Sequence, residues 1–259
     1  MQHFLFLLFA LPLVLVSCNP DEDDNELSGC MDPDAVNFSA NATVDDGSCV
    51  YGESSGCDGA STVTYDGYSY ALVAIGDQCW FAENLRTEHY ANGNVILGGL
   101  STDEWWDAGE NNHGAQTIYN NDAANLIDHG RLYNWSSVSL GLCPAGWHVP
   151  TAADYTDLLD YLGGNSGTKM KSSPSDMPSW DGSNESGFSG LAGGSRTAIF
   201  GGNTNTGYSF IGEAGYFWSA SADFSQPNQA KCLLLSSGAD AEVIGATRSK
   251  GLSVRCVRD

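Results

Sequence analysis

Residues 61–83 read Ser-Thr-Val-Thr-Tyr-Asp-Gly-Tyr-Ser-Tyr-Ala-Leu-Val-Ala-Ile-Gly-Asp-Gln-Cys-Trp-Phe-Ala-Glu. Val63 and Tyr65 run into Asp66-Gly67. Tyr68, Tyr70, Leu72 and Ala74 then alternate with Ser69, Ala71, Val73 and Ile75, and Gly76-Asp77 leads into Gln78-Cys79-Trp80-Phe81. Two-residue Asp-Gly and Gly-Asp breaks between β-rich runs are hairpin chemistry, because the turns that match strand twist need positive φ. The stretch is expected to be a β-meander.

The far end of the chain follows the same grammar. Tyr216-Phe217-Trp218-Ser219, Cys232 to Leu235, Ala241 to Gly245 and Leu252 to Val257 are runs of strand length. One helix is clear between the two ends. Thr151 follows Pro150 and is a good N-cap, with Asp154 three residues on. Tyr155, Leu158, Leu159 and Leu162 fall at i, i+3, i+4 and i+7 and form one apolar face, and Gly163-Gly164 ends it. Residues 87–127 and 164–215 read as long loops rich in Gly, Asn and Ser, with Trp105-Trp106 and Tyr119 isolated in the first.

Hydrophobic residues make up 42% of the 259, enough for a core, while 31 Gly and 11% aromatics suit a β-rich or loop-rich domain. Ten Lys and Arg stand against 32 Asp and Glu, a formal charge of −22. That balance argues against a nucleic-acid partner, whose phosphates need clustered cations, and against an anionic membrane surface. All ten cations fall at or after Arg86. The acidic front half reads either as a solvated surface or as divalent-cation chemistry.

Phe4 to Val16 is an apolar run. It is shorter than the roughly 20 residues that span a bilayer and fits the apolar region of a signal peptide, residues 1–17. It ends Leu15-Val16-Ser17-Cys18, which resembles a bacterial lipobox; the resemblance implies lipidation of Cys18. Acyl chains contribute about 0.8 kcal/mol per buried CH₂, so two or three of them anchor firmly. The acidic run that follows, Asn19 to Glu26, lies in a solvated tether over residues 18–28. It resembles the surface-export signals of Bacteroidota lipoproteins, which implies an outer-membrane, cell-surface or extracellular address.

With Cys18 lipidated, seven Cys remain in an oxidising compartment. Sequence alone does not fix their pairing. Local logic favours Cys30 with Cys49 as a small loop, Cys57 with Cys79 across the meander, and Cys143 with Cys256. The last would tie mid-chain to the final strand, worth about 4–5 kcal/mol in the chain-entropy model. Cys232, in an apolar run, is left as a buried free thiol.

Residues 29–51 contain Gly-Cys-Met-Asp-Pro-Asp at the start and Asp-Asp-Gly-Ser-Cys near the end. They resemble a short repeat of secreted and surface proteins of marine bacteria. The segment is too short to bury a core, so a disulfide must hold it. Asp32, Asp34, Asp45 and Asp46 would either converge on one calcium ion or serve a metal-free capping turn. The spacing is not that of an EF-hand. Residues 52–56 read as a linker.

Several phrases of the remaining chain occur in a telling order. They are Val73 to Leu85, Tyr119-Asn120-Asn121-Asp122, Gly130-Arg131-Leu132-Tyr133-Asn134-Trp135, and Gly141 to Thr151 with its Cys143-Pro144-Ala145-Gly146-Trp147-His148. Ser186 to Leu191 with Gly193-Gly194, Gly215-Tyr216-Phe217-Trp218-Ser219 and Ser253 to Asp259 complete the set. In that order they resemble the Fibrobacter succinogenes major paralogous domain, over about residues 57–259. That family is similar in turn to the formylglycine-generating-enzyme branch of the C-type-lectin-like fold. The resemblance implies an α+β domain, loop-rich and disulfide-stapled, and the reading of strands, helix and loops agrees with it.

No catalytic constellation stands out. The chain has no P-loop, no Gly-x-Gly-x-x-Gly and no His-x-x-x-His pair, and its one Gly-x-Ser-x-Gly string, Gly52-Glu53-Ser54-Ser55-Gly56, falls in the linker. Formylglycine-generating enzymes hold copper with a close pair of Cys near the C-terminus, whereas Cys232 and Cys256 are well separated here. The chain is therefore expected not to be an enzyme. His148 reads as a packed or capping histidine, or else a base or ligand. Arg131, Arg255 and Arg258 read as partners of buried carboxylates or carbonyls, or else a ligand clamp. Trp105 and Trp106, flanked by Asp103, Glu104, Asp107 and Glu110, offer either a sugar platform or a loop with two packing tryptophans.

The expectation drawn from all this is a surface lipoprotein with a lectin-like recognition domain. It would bind a glycan or protein ligand at loops around residues 98–120 and 195–230, with calcium as the candidate ion. The alternatives are a structural or adhesive envelope component and a relative of the formylglycine-generating enzymes.

Overall fold

In the computed structural model, which describes residues 27–33, 35, 37–49, 56–197 and 207–259, Thr62–Tyr65, Tyr68–Ile75 and Gln78–Phe81 form the expected antiparallel meander. At its first turn Asp66 and Gly67 both have positive φ, 46° and 77°, the type I′ geometry that a two-residue hairpin prefers. The signal peptide, Cys18, Asp34, the tether before Leu27 and residues 52–55 of the linker lie outside the described residues.

The chain divides into two units, Met1–Glu53 and Ser54–Asp259. In the first, Ser28–Gly29 pairs parallel with Val44–Asp45, and the Cys30–Cys49 disulfide closes the loop. Little apolar area is buried here; Leu27, Met31, Phe38 and Val44 are all exposed. The disulfide does the work that a core does in larger domains.

The second unit carries two five-stranded sheets. One runs Thr62–Tyr65, Tyr68–Ile75, Gln78–Phe81, Val257–Arg258, Trp147–His148, with every neighbour antiparallel. The other runs Tyr208–Ile211, Gly193–Arg196, Gly215–Ala222, Gln229–Leu235, Glu242–Thr247. Its neighbours are antiparallel except for one parallel contact between Gly194 and Gly215. The C-terminal segment stitches the sheets together. Trp218 N–H donates to the Ser253 carbonyl at 2.9 Å, while Leu85 and Phe81 N–H donate to the Val254 and Cys256 carbonyls at 2.8 and 2.9 Å.

That position explains the unbroken apolar runs. Trp80, Phe217, Leu233 and Val257 lie in one core cluster, and their sequence neighbours Phe81, Trp218, Cys232 and Cys256 lie in the other. Successive side chains of a strand point to opposite faces, so a strand with a core on each side is apolar at consecutive positions. Cys57–Cys79 and Cys143–Cys256 close the second unit's disulfides, the pairs that local logic favours, and Cys232 is a buried free thiol.

The helix spans Ala152–Leu162, begun by a capping box between Thr151 and Asp154. Tyr155 and Leu158 are buried, and Leu159 and Leu162 pack against the same cluster. Two loops hold more structure than their composition suggests. Ser101 and Glu104 form a second capping box that starts a helix over Thr102–Glu110. Ser166–Met170 is a short helix, and Gly193–Arg196 and Tyr208–Ile211 are paired strands. Among the described residues no helix is long and apolar enough to cross a membrane.

Candidate functional site

Of the two readings of the tryptophan pair, the helix over Thr102–Glu110 gives Trp105 the packing one. Its register turns Trp105 and Ala108 inward, both buried, while Asp107 and Glu110 stay exposed. Trp105 donates its indole N–H to the Ser249 carbonyl at 2.8 Å, and the Arg196 guanidinium lies 4.3 Å over its ring. A side chain this enclosed cannot offer its face to a sugar. Trp106 is half-buried. Trp105, Trp106, Asp107 and Glu110 line neither lobe of the cleft described below.

The calcium set is also spread among local turns. Asp45 accepts from Gly47 N–H at 3.1 Å, and Asp46 from Ser48 N–H at 2.9 Å. The Ser48 hydrogen bonds hold the Asp46 carboxyl below its usual range. Asp32 is half-buried, and Asp34 lies outside the described residues. Among the described residues no group of three or more His, Cys, Asp or Glu is placed to hold a metal ion.

His148 serves the helix start. Its Nδ1 lies 2.7 Å from Asp259 Oδ1, and its Nε2 lies 3.2 Å from the capping Asp154 Oδ2. Burial pushes the Asp154 carboxyl up, but the hydrogen bonds from Thr151 outweigh it and the net direction is down. Arg131 pairs with Glu88 and donates to Gln116 Oε1 at 2.8 Å; Arg258 pairs with Asp58 at 2.7 Å.

A cleft instead opens where the segment after Gln78–Phe81 meets the helix Asn125–His129 and the loop after Ser166–Met170. It has two lobes, of about 390 and 580 Å³, which share Asp128, Met177, Pro178 and Leu191. The first lobe is lined by Glu83, Asn84, Arg86, Ser172, Asp176, Asn184, Ser189 and Arg255 among others. The second adds His129, Trp180 and Ile211. Met177 stands on the rim, 95% exposed.

The first lobe has a wall of buried polar groups. Arg255, Asn84, Arg86 and Ser172 are all buried. Arg255 donates Nε–H to Asn84 Oδ1 at 3.0 Å, and its terminal nitrogens donate to the Phe188 and Ser189 carbonyls. Its guanidinium lies 4.1 Å over the Phe188 ring. Among the described residues no carboxylate lies within ion-pair distance of it. Burial draws the Arg255 pKa down to about 9, so the side chain is still charged at neutral pH. Arg86 pairs with Glu83 at 2.7 Å, yet its Nε–H has no partner, and neither has the Ser172 hydroxyl.

The carboxylates lie outside this wall. Glu83 is half-exposed, Asp128 exposed and Asp176 half-buried. Asp176 accepts from Ser173 N–H at 2.6 Å and Asn184 Nδ2 at 3.0 Å, and is held below the usual carboxylate range by them. In the second lobe burial pushes His129 down, toward the neutral imidazole. Ser172 Oγ engages no base. Cys232 lines neither lobe, and burial drives its thiol up to about 12.

Sequence reading missed this cleft because its walls come from well-separated stretches, around residues 71, 82–86, 127–129, 172–192, 211–212 and 255. Arg255 is the one residue of it singled out beforehand. Asn84 and Arg86 carried a signal of their own, polar residues at the end of an otherwise apolar strand phrase.

The family model for the Fibrobacter succinogenes major domain matches residues 73–258, within the span over which the resemblance was read. The chain belongs to that family. No curated protein and no solved structure matches it.

Proposed function

We propose that this member of the Fibrobacter succinogenes major domain family is a lipid-anchored surface protein whose larger unit recognises a glycan or protein ligand without transforming it. The reading places residues 1–17 as signal peptide, 18–28 as tether from lipidated Cys18, 29–51 as a short disulfide-closed repeat, and 57–259 as the recognition domain. It takes that domain as C-type-lectin-like and the source as a Bacteroidota outer membrane.

The observation that carries the reading is the two-lobed cleft. Buried donors and acceptors line its first lobe, an apolar rim of exposed Ile127 and Met177 and half-buried Pro178 borders it, and Trp180 lines its second. Mostly pre-formed concave sites with a few fixed polar groups are what small-ligand recognition uses. A buried, strongly protonated Cys232 is a poor nucleophile, which weighs against inherited formylglycine-generating chemistry.

The test is a broad glycan array probed with the soluble Cys18→Ala form, in calcium and again in chelator. Saturable binding that Met177→Asp abolishes supports the cleft as the site. Loss of binding in chelator assigns calcium a part. Silence in both conditions, with no saturable protein ligand recovered from the cell surface, overturns recognition in favour of an envelope component. For the address, Cys18→Ala is expected to leave the membrane fraction; retention there overturns the lipoprotein reading.

A further inference from the structure

We infer that the cleft takes a segment of a protein partner in which a Lys or Arg side chain stands beside an apolar one, the cation at the mouth of the first lobe and the apolar side chain in the second. The inference rests on the recognition reading and chooses a protein ligand over a glycan.

The charges that reach the mouth are negative. Glu83, Asp128, Asp176, Arg86 and Arg255 are the charged side chains in the first lobe's lining. The two arginines are turned inward, 7% and 0% exposed. Arg255 is taken up by internal oxygens, and Arg86 Nη2 donates to Glu83 Oε2 at 2.7 Å and to the Ser69 carbonyl at 3.1 Å. Glu83 is thus matched, which leaves Asp128 and Asp176. Among the described residues no Lys or Arg lies within ion-pair distance of either. Asp128 is exposed. Asp176 is held by neutral donors, Ser173 N–H and Asn184 Nδ2, which keep its carboxyl below the usual range and so ionised at neutral pH. Burial pushes His129 toward its neutral form, so the second lobe adds no cation. Two carboxylates without a counter-cation are what an ammonium or guanidinium complements. Ser172, 1% exposed, belongs to the same lining and its hydroxyl has no partner, a buried polar group still short of its hydrogen bond.

The second lobe supplies the apolar half. Met177, Pro178, Trp180, Leu191, Ala192 and Ile211 line its 580 Å³ or so. Met177 is exposed, and Pro178, Trp180 and Ile211 are half-buried, so apolar surface is open to an incoming side chain. A wall with an exposed Met adapts to side chains of varied shape. A neutral sugar finds less here. The Lys171 ammonium already lies 5.3 Å over the Trp180 ring, and the lobe's polar side chains are only Asp128, His129 and Ser179. The two lobes share Asp128, Met177, Pro178 and Leu191. Neighbouring side chains of one peptide therefore reach the carboxylates and the apolar wall together. The formal charge of −22 steers a basic segment toward this protein.

The test is a bead library of capped random hexapeptides, screened with the full chain in detergent and followed by anisotropy titration of the enriched peptides. The expected sequences carry Lys or Arg beside an apolar residue. Their binding is expected to weaken about fivefold as salt rises from about 50 to about 300 mM. Asp128→Lys and Met177→Ser, both at exposed positions, are each expected to weaken it about tenfold and to leave the melting curve unchanged. Enrichment of neutral or acidic sequences overturns the cation assignment. Basic sequences whose binding ignores both substitutions overturn the site. A glucosamine oligomer that binds where no peptide does, and is lost in Asp128→Lys, overturns the protein class. A glycan from the array that both variants bind as the parent does, with no peptide enriched, overturns this inference and spares the recognition reading. No ligand in any format overturns both.

Discussion

The Arg196 guanidinium lies 4.3 Å over the ring of Trp105, and both side chains are closed off from solvent. Arg196 also donates to the Leu100 and Ser101 carbonyls at 2.9 and 3.1 Å, just before the Thr102–Glu110 helix begins. The cation therefore clamps the helix start to the strand Gly193–Arg196. Trp105→Ala would empty this contact and strip the Ser249 carbonyl of its donor. Large-to-small changes of a buried Trp cost about 3–5 kcal/mol. Urea denaturation of the variant is expected to show a loss of that size. A change below 1 kcal/mol would mean that Trp105 is not packed as described.

The capping box at Thr151 gives a second, smaller expectation. Thr151 Oγ1 accepts from Asp154 N–H at 3.2 Å, and the Asp154 carboxylate accepts from Thr151 N–H at 2.7 Å. Replacing an N-cap Thr by Ala costs about 1 kcal/mol. Thr151→Ala should lower the unfolding free energy by that amount, read by urea denaturation, and Thr151→Ser should restore most of it. A Ser variant no better than Ala would deny the hydroxyl its role.

This helix was legible in the sequence because cap, apolar face and terminal Gly all agree at one place. The Thr102–Glu110 helix carried the same signal, Ser101 with Glu104 three residues on, but Gly and Asn around it suggest loop. Its apolar face is only Trp105 and Ala108, too sparse to show a period. The strand Gly193–Arg196 was hidden for a related reason. Gly-Gly-Ser-Arg has no β-branched side chain, and what holds it is pairing, with Tyr208 opposite Arg196 and Gly215 opposite Gly194. The cleft was the least legible of all. Asn84 and Arg255 touch at 3.0 Å across 171 residues, and no local pattern reports such a contact. Tertiary partners decide these cases, and local propensity does not.

Stability is expected to fall in acid partly through Asp223. Ser225 Oγ donates to its Oδ1 at 2.6 Å, and Lys231 Nζ lies 2.9 Å from its Oδ2. These hydrogen bonds, Ser225 first, bring its pKa down to about 2. The folded value lies below the ordinary carboxylate value, near 3.9 in an unfolded chain. Its contribution is therefore full above about pH 4 and is lost as pH falls toward 2. Urea midpoints measured at pH 6, 4 and 2.5 should drop less steeply between the last two for Asp223→Ala than for the parent. Parallel slopes would show that Asp223 gains no such support on folding.

Cys143 and Cys256 join positions 113 residues apart. In the chain-entropy model a loop of that size is worth about 4.7 kcal/mol, because the cross-link restricts the unfolded chain. The bond also anchors the segment that carries Arg255 between the two sheets. Cys143→Ala with Cys256→Ala should reduce stability by several kcal/mol, read by urea denaturation. The same change in Cys30 and Cys49, which closes only 19 residues in the other unit, should leave the larger unit's melt where it was. A shift of that melt by the smaller pair would contradict the division into two units.

Cys232 decides between an inert and a reactive thiol. It is wholly enclosed, and burial holds its thiol up at about 12, against a weaker pull down from Lys250 and Lys231. The thiolate is the species that alkylates, so a raised pKa and enclosure act in the same direction. In the Cys18→Ala form, iodoacetamide at pH 8 is expected to add nothing to the folded protein over hours. In urea without reductant it should add a single adduct, since the other six Cys are held in disulfides. Mass spectrometry of the intact chain reads both states. Rapid labelling of the folded protein would revive the enzyme reading, because it would require a thiol that is open and ionised.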